Sequence, residues 1–267
     1  MKTIKMQGGI GNQLFCLAFA HSVTRLSREP VAVDLASFSS DRYGHDFALE
    51  DLALGLGGVR FVRRPLLAAR VTTAVMRKAR IPGYVSEGAP PADRIALAAL
   101  VAEGRYFNGY WQHEAYIDDP EGFIVQAREA VFRRAGPSPQ RDVVIHYRTY
   151  KEEIRPHAQG APGDDYVRAA LARIAVMLGA AAKVCLVSDD PALALERLGD
   201  VGCDLTVAKG TDPWSDLALL LNARALVLTN SSFSWWGGFC GAAEVVFYPR
   251  RQGYFHYPIP AARFVCI

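Results

Sequence analysis

The stretch Ala225-Leu-Val-Leu-Thr-Asn-Ser-Ser-Phe-Ser-Trp-Trp-Gly-Gly238 passes from an apolar run of strand length through a polar cluster into an aromatic segment closed by glycine. Read as strand, turn and helix, it is one unit of an α/β repeat. Outward from it, Val143-Val-Ile-His146, Lys183-Val-Cys-Leu-Val187, Asp204-Leu-Thr-Val207 and Glu244-Val-Val-Phe247 have the same strand-like character. Helix-like stretches near 165–179, 191–199, 213–223 and 233–242 separate them. Short apolar strands alternating with helices predict a parallel sheet covered on both faces.

The first half is less regular. It shows a strand at Thr3 to Met6, a glycine-rich turn, a helix to about Leu26, a strand at Val31 to Asp34, and weaker signals as far as Arg105 to Gln112. The charged, proline-punctuated run Arg133-Arg-Ala-Gly-Pro-Ser-Pro-Gln-Arg-Asp142 has the composition of a linker. A chain of 267 residues tends to divide its core, so two lobes are expected, 1–136 and 137–267.

Composition narrows the function. With 51% apolar and 21% charged residues the chain is neither disordered, collagenous nor a coiled coil. Thirty Lys and Arg against 27 Asp and Glu give a formal charge of +3, too balanced for a protein that wraps nucleic acid, so no nucleic-acid partner is expected. Five scattered cysteines without a CxxC spell neither a disulfide framework nor a zinc cage, and a reducing cytoplasm is expected. Glycines and amides in Gln7-Gly-Gly9 and Gly11-Asn-Gln13 interrupt what would otherwise resemble a signal sequence. The long uncharged runs Met6 to Thr24 and Ala225 to Ala243 carry Asn, Gln or Ser throughout, so no membrane span is expected.

Three places carry candidate chemistry. Gly8-Gly-Ile-Gly-Asn-Gln13 follows the first strand and opens a helix, where free amides can face a phosphate or a polar sugar; a plain tight turn has the same composition. It is not a dinucleotide fingerprint, because Leu14 stands where the third glycine belongs, although Asp34 lies at about the ribose-binding distance. In Val143-Val-Ile-His-Tyr-Arg148 the strand runs out into His146 and Arg148, alternating to one side. Arg suits a diphosphate, while a surface ion pair and a satisfied wall histidine are the bland alternatives. The third is Asp212-Pro-Trp-Ser-Asp216 with Thr229-Asn-Ser-Ser-Phe-Ser-Trp-Trp-Gly237. Its serines can cap a helix, bind an anion, or both, and Asp216 can accept two N–H donors from a guanine edge or simply occupy a first helical turn.

Gly8-Gly-Ile-Gly-Asn-Gln13, Phe107-Asn-Gly-Tyr-Trp-Gln112, Val187-Ser-Asp-Asp190 and Asp216-Leu-Ala-Leu with Thr229-Asn-Ser-Ser-Phe-Ser-Trp-Trp-Gly-Gly238 resemble the α1,2-fucosyltransferases of glycosyltransferase family 11, in order along nearly the whole chain. The resemblance implies a GT-B type α/β fold of two Rossmann-like lobes, with acceptor groups in the first and a GDP-sugar site facing the interdomain cleft in the second. It also implies a GDP-fucose donor and transfer with inversion, with no metal and no other cofactor. Arg148 falls on the family's diphosphate arginine and His146 on its neighbouring histidine. Similarity to the wider fucosyltransferase group puts the guanine acid at Asp216 and phosphate or nucleoside contacts at Ser231, Ser232 and Phe233. Substrate contacts are expected at Gly9, Gly11 and Gln13. Similarity to protein O-fucosyltransferases, with an Asn in a comparable turn, implies a positioning role for Asn12.

One departure stands out. The family continues His-x-Arg-Arg-Gly-Asp-Tyr, whereas this chain has His146-Tyr-Arg-Thr-Tyr-Lys-Glu152. That leaves the donor sugar and the catalytic base open. Asn12 and then Glu152 are the candidates for assisting the acceptor hydroxyl, and a different GDP-sugar or a catalytically silent GDP-sugar binder are the alternative functions. The expected partners are a GDP-sugar and a glycan or glycoconjugate acceptor. Between Leu52 and Ser86 there is no acid, while Arg60, Arg63, Arg64, Arg70, Arg77, Lys78 and Arg80 all fall there. Such a stretch either is a solvated helix surface or rests peripherally on anionic lipid at the inner face of the membrane.

Overall fold

The structure is a computed structural model that describes residues 1–40, 45–50, 57–79, 81–149, 164–179, 181–210, 212–249 and 263–267. The chain divides into two compact units, Met1–Gln126 and Ala127–Ile267.

The first unit holds five strands, β1 (Lys2–Lys5), β2 (Val31–Asp34), β3 (Val59–Val62), β4 (Tyr84–Ser86) and β5 (Tyr106–Asn108), in the order β3-β2-β1-β5-β4. Every pairing is parallel. Its helices are α1 (Ile10–Ser27), α2 (Leu66–Lys78) and α3 (Arg94–Glu103), followed by α4 (Pro120–Ala135). Helix α1 is buried almost continuously from Gly11 to Val23 because its sequence is apolar on every side. Phe19 stacks on Trp111 at 4.2 Å between ring centres, and Phe107 and Tyr116 meet Phe19 edge-on. Lys2 is a buried charge with a specific reason to be there. Its Nζ donates to the carbonyls of Val101 and Gly104, both at 2.6 Å, and so closes the open C-terminus of α3. Burial lowers its pKa.

The second unit has six strands, β6 (Arg141–Tyr147), β7 (Val184–Ser188), β8 (Leu205–Val207), β9 (Ala223–Leu228), β10 (Val245–Tyr248) and β11 (Phe264–Cys266). Their order is β11-β10-β9-β6-β7-β8, again all parallel. Helices α5 (Asp164–Leu178), α6 (Pro191–Leu198), α7 (Pro213–Leu221) and α8 (Ser232–Cys240) alternate with them. Alternate strand residues feed two separate cores, as a sheet covered on both faces requires. Val143, Ile145, Leu186 and Val227 pack with Val167, Ile174 and Leu198 of α5 and α6. Val144, Val187, Leu226 and Val246 pack with Leu220 of α7. The strand order reverses between β6 and β9, and ligands of open α/β sheets bind outside the strand ends at such a reversal.

Both units therefore have the parallel α/β character expected. The division between them falls inside α4 rather than after residue 136. Phe123 in the front half of α4 lies near His21. Arg128 in the back half donates to Cys240 O at 2.8 Å, and Arg134 lies over the Trp214 ring. The helix thus serves one core with each half, and only 136–140 of the expected linker is irregular. All five cysteines are unpaired. Among the described residues no helix is long and apolar enough to cross a membrane.

Candidate functional site

In the second unit the site grows from the ends of β6 and β9. The strands are in register to His146 and Leu228. Beyond the ladder, Thr229 N–H donates to His146 O at 3.2 Å and Arg148 N–H donates to Thr229 Oγ1 at 3.0 Å, so the two ends are stitched together where they emerge. His146 is buried, its Nδ1 hydrogen-bonded to the wholly buried Ser234 hydroxyl and its ring 5.3 Å from that of Phe233. Burial first, and then the Arg148 charge, push its pKa down to about 3 against a weaker opposing pull from Asp189. The imidazole is neutral at ordinary pH and works as a fixed packing and hydrogen-bonding group.

Arg148 follows the strand, and its Nε lies 3.3 Å from Asp189 Oδ2 at the end of β7. The other carboxylate oxygen accepts from Thr149 N–H at 2.9 Å and from the Thr149 hydroxyl at 3.0 Å. Thr149 is buried, and its carbonyl accepts from Arg197 at 2.9 Å. The residue that replaces the family's second arginine is thus engaged in holding Asp189. An orienting carboxylate on Nε leaves the terminal nitrogens of a guanidinium for a bidentate anion.

Helix α8 starts beside Arg148. Ser231 is its N-cap, with Oγ accepting from Phe233 N–H at 3.3 Å. Ser231, Ser232 and Phe233 are half-buried, whereas the chain from Ser234 to Cys240 is buried. Asn230 is buried and its Oδ1 has no hydrogen-bond partner. A buried unpaired polar atom at a helix N-terminus is costly without a ligand or water to meet it. His146, Arg148, Ser231, Ser232 and Phe233 therefore belong to one end of one sheet.

Asp216 stands apart from them in the first turn of α7, facing a cavity of about 340 Å³ also lined by Ser138, Arg141, Thr206, Lys209 and Ser215. Asp212 caps that helix through the N–H groups of Trp214 and Ser215. Burial, and secondly the nearby Asp212 charge, raise the Asp216 pKa to about 6.

In the first unit Gly9 caps α1, preceded by Gly8 at φ +81°. A Cβ on Gly8 would stand 2.6 Å from Asn12 Nδ2, so the turn needs glycine there for space as well as for its backbone. Asn12 Oδ1 accepts from Gln112 Nε2 at 2.6 Å, which leaves the Nδ2 end of the amide turned away from Gln112. The Glu87 carboxylate accepts from Tyr110 N–H at 2.6 Å and Gln112 N–H at 2.9 Å and holds that segment in place.

Two expectations change here. Gln13 is fully buried, donating to Gly8 O and Asp46 O and accepting from Ala48 N–H, and Gly11 is buried in the same turn of α1. Both face inward, so they shape the turn and are not open to a substrate; Gly9 and Asn12 are only half-buried. Asp34 offers no ribose contact, because its carboxylate is paired with Arg64 and accepts from Ala36 N–H. Glu152 lies outside the described residues. Asp189, Thr149 and Thr229 were missed as site residues; the Ser188-Asp-Asp190 motif was visible, but nothing in one strand's sequence shows an ion pair to the next. No cluster of three or more His, Cys, Asp or Glu suited to a metal occurs among the described residues.

The family model for glycosyl transferase family 11 matches residues 101–248. No curated protein matches the chain. Among solved structures it is similar to the fucosyltransferase NodZ from Bradyrhizobium, with 14% identity over 92% of this chain and 93% of that one and a TM-score of 0.46. It is similar to POFUT1 in complex with GDP, at 11% identity over 91% and 96% of the two chains and a TM-score of 0.45. It is also similar to the E. coli heptosyltransferase WaaC with ADP-2-deoxy-2-fluoro heptose, at 10% identity over 100% and 93% and a TM-score of 0.49.

Proposed function

The chain belongs to glycosyl transferase family 11 and is a glycosyltransferase, and we propose that it moves fucose from GDP-fucose to a hydroxyl of a glycan or glycoconjugate, forming an α1,2 linkage with inversion. The observation that carries the reading is the joined end of β6 and β9, where the Arg148 main chain is tied to Thr229 just ahead of the start of α8.

In this proposal the diphosphate sits against the Arg148 guanidinium and the free amides at the start of α8, which neutralise the charge of the departing GDP without a metal. Asp189 keeps Arg148 aimed. The Asp216 carboxylate accepts the N1–H and N2–H of guanine in its own cavity. The acceptor oxygen attacks the anomeric carbon as the bond to the β-phosphate oxygen breaks, and the acceptor proton leaves to a weak base. Asn12, on the acceptor side, steadies the reacting centre through its amide, with Glu152 as the second candidate. The odd, scattered cysteines without a CxxC fit a reducing, cytoplasmic setting. The proposal includes a peripheral contact with anionic membrane.

The test is a panel of GDP-sugars, each assayed for hydrolysis and for transfer to glycan acceptors. Turnover of GDP-fucose above all others supports the reading. Preference for another GDP-sugar makes the Thr149 substitution a change of donor, and GDP binding without any turnover makes the protein a silent binder.

A further inference from the structure

Helix α2 is attached along one side. Ala69 is buried and Met76 half-buried on that side, and the helix packs on the turn Ala36–Ser40. The other side carries Leu67, Val71 and Val75, which are 75%, 53% and 52% exposed. Their four-residue spacing stacks them into a single apolar stripe. One exposed Leu needs no explanation, but three in line on the free face of a helix do.

The charge of the segment that carries the stripe is of one sign. Arg60, Arg63, Arg77 and Lys78 are exposed, Arg70 is on the same helix, and no acid occurs from 52 to 86. Arg64 is not part of this surface, because it is paired with the buried Asp34. Arg80 lies outside the described residues. A helix with an outward apolar stripe and basic residues beside it is built to lie in the plane of a membrane interface.

We propose that the outer face of α2 docks on an anionic lipid bilayer, with Leu67, Val71 and Val75 entering the boundary between headgroups and acyl chains and Arg63, Arg77 and Lys78 on lipid phosphates. This narrows the peripheral contact to one helix, and it holds whichever sugar the enzyme transfers. A second copy of the chain fits the face less well, because it would bring two basic, acid-free segments together.

The experiment is co-sedimentation of the full chain with phosphatidylglycerol-containing vesicles and with pure phosphatidylcholine vesicles, at low and high ionic strength. The parent partitions onto the anionic vesicles at low salt and is released by salt. The triple variant Leu67→Ser, Val71→Ser, Val75→Ser and the double variant Arg77→Gln, Lys78→Gln each weaken that partition by about tenfold or more, with GDP affinity and melting temperature unchanged. Failure of the parent to bind anionic vesicles at low salt, or undiminished binding of the triple variant, overturns the proposal. So does a dimer in sedimentation equilibrium that the triple variant dissociates, which would give the face to a second copy. Loss of GDP binding by the parent would count against the donor assignment and leave the vesicle result standing.

Discussion

Arg148 and Asp189 form an ion pair across two neighbouring strand ends, with Nε 3.3 Å from Oδ2, and the same carboxylate holds the buried Thr149 through its second oxygen. The arginine is thus anchored on one side and half exposed on the other, as a fixed cation aimed at an anion must be.

On the proposed reading, Arg148→Ala removes the main cation facing the diphosphate. A bidentate charged contact is worth roughly 2–4 kcal/mol, so steady-state turnover of donor should fall by about two to three orders of magnitude. Asp189→Asn keeps the shape and loosens the aim, with about a tenfold drop in kcat/KM. If the two residues act as one device, the double variant is no worse than Arg148→Ala alone. Additive losses would show that Asp189 acts elsewhere.

Asp216 gives opposite pH dependences for stability and for binding. Its folded pKa of about 6 is raised above the ordinary carboxylate value, so charging it opposes folding: its contribution to stability is complete below about pH 4 and is lost as the pH rises through 6. In the proposed function the carboxylate accepts from guanine, so GDP affinity measured by calorimetry should weaken as the pH falls below about 6. Asp216→Asn should abolish that dependence and weaken GDP binding at neutral pH. A variant that binds GDP as tightly as the parent would remove Asp216 from the site.

His146 is depressed in the folded state, so its contribution to stability is present above its ordinary value near 6.5 and is lost as the pH falls towards 3. Urea denaturation across that range should show a decline that His146→Asn flattens. Ser234→Ala strands the buried imidazole nitrogen and should cost about 1–3 kcal/mol at neutral pH. Unchanged stability would mean that Ser234 is not the partner His146 depends on.

Asn12→Ala should lower kcat by about tenfold or more at saturating donor, the mark of a contact made in the transition state. Gly8→Ala should do the same while leaving the amide chemically intact, because its Cβ would push Asn12 Nδ2 out of place. Should Asn12→Ala change only donor KM while Glu152→Gln abolishes kcat, the base lies after β6 instead.

Much of the second unit was legible in the sequence because its strands are apolar on both faces and are divided by clear helical stretches. The first unit was harder. Strands β4 and β5 have three residues each, and β3 is only half-buried, so neither alternation nor a long apolar run marks them. Strand β11 is equally short and follows a stretch with no strand signal. For the site, His146, Arg148 and Ser231 could be read from where a strand runs out and a helix begins. That Gln13 faces inward could not, since α1 is apolar all round and its sequence has no polar face to set the direction. The outward stripe of α2 was also hidden, because Leu, Val and Met between arginines have the composition of an ordinary amphipathic helix until their packing side is known.

Lys2 has one more consequence, for the order in which the first unit assembles. β1 is the middle strand of its sheet, and its neighbour β2 is synthesised soon afterwards, but the carbonyls that accept from the Lys2 amine belong to residues 101–104 and the other neighbouring strand to 106–108. During synthesis on the ribosome, half the centre of this sheet waits about a hundred residues for its partner, with one edge bare and an ammonium unpaired. The contacts of Lys2 and the β1–β5 pairing therefore form only after residues 101–108 have been made, across a loop of about a hundred residues.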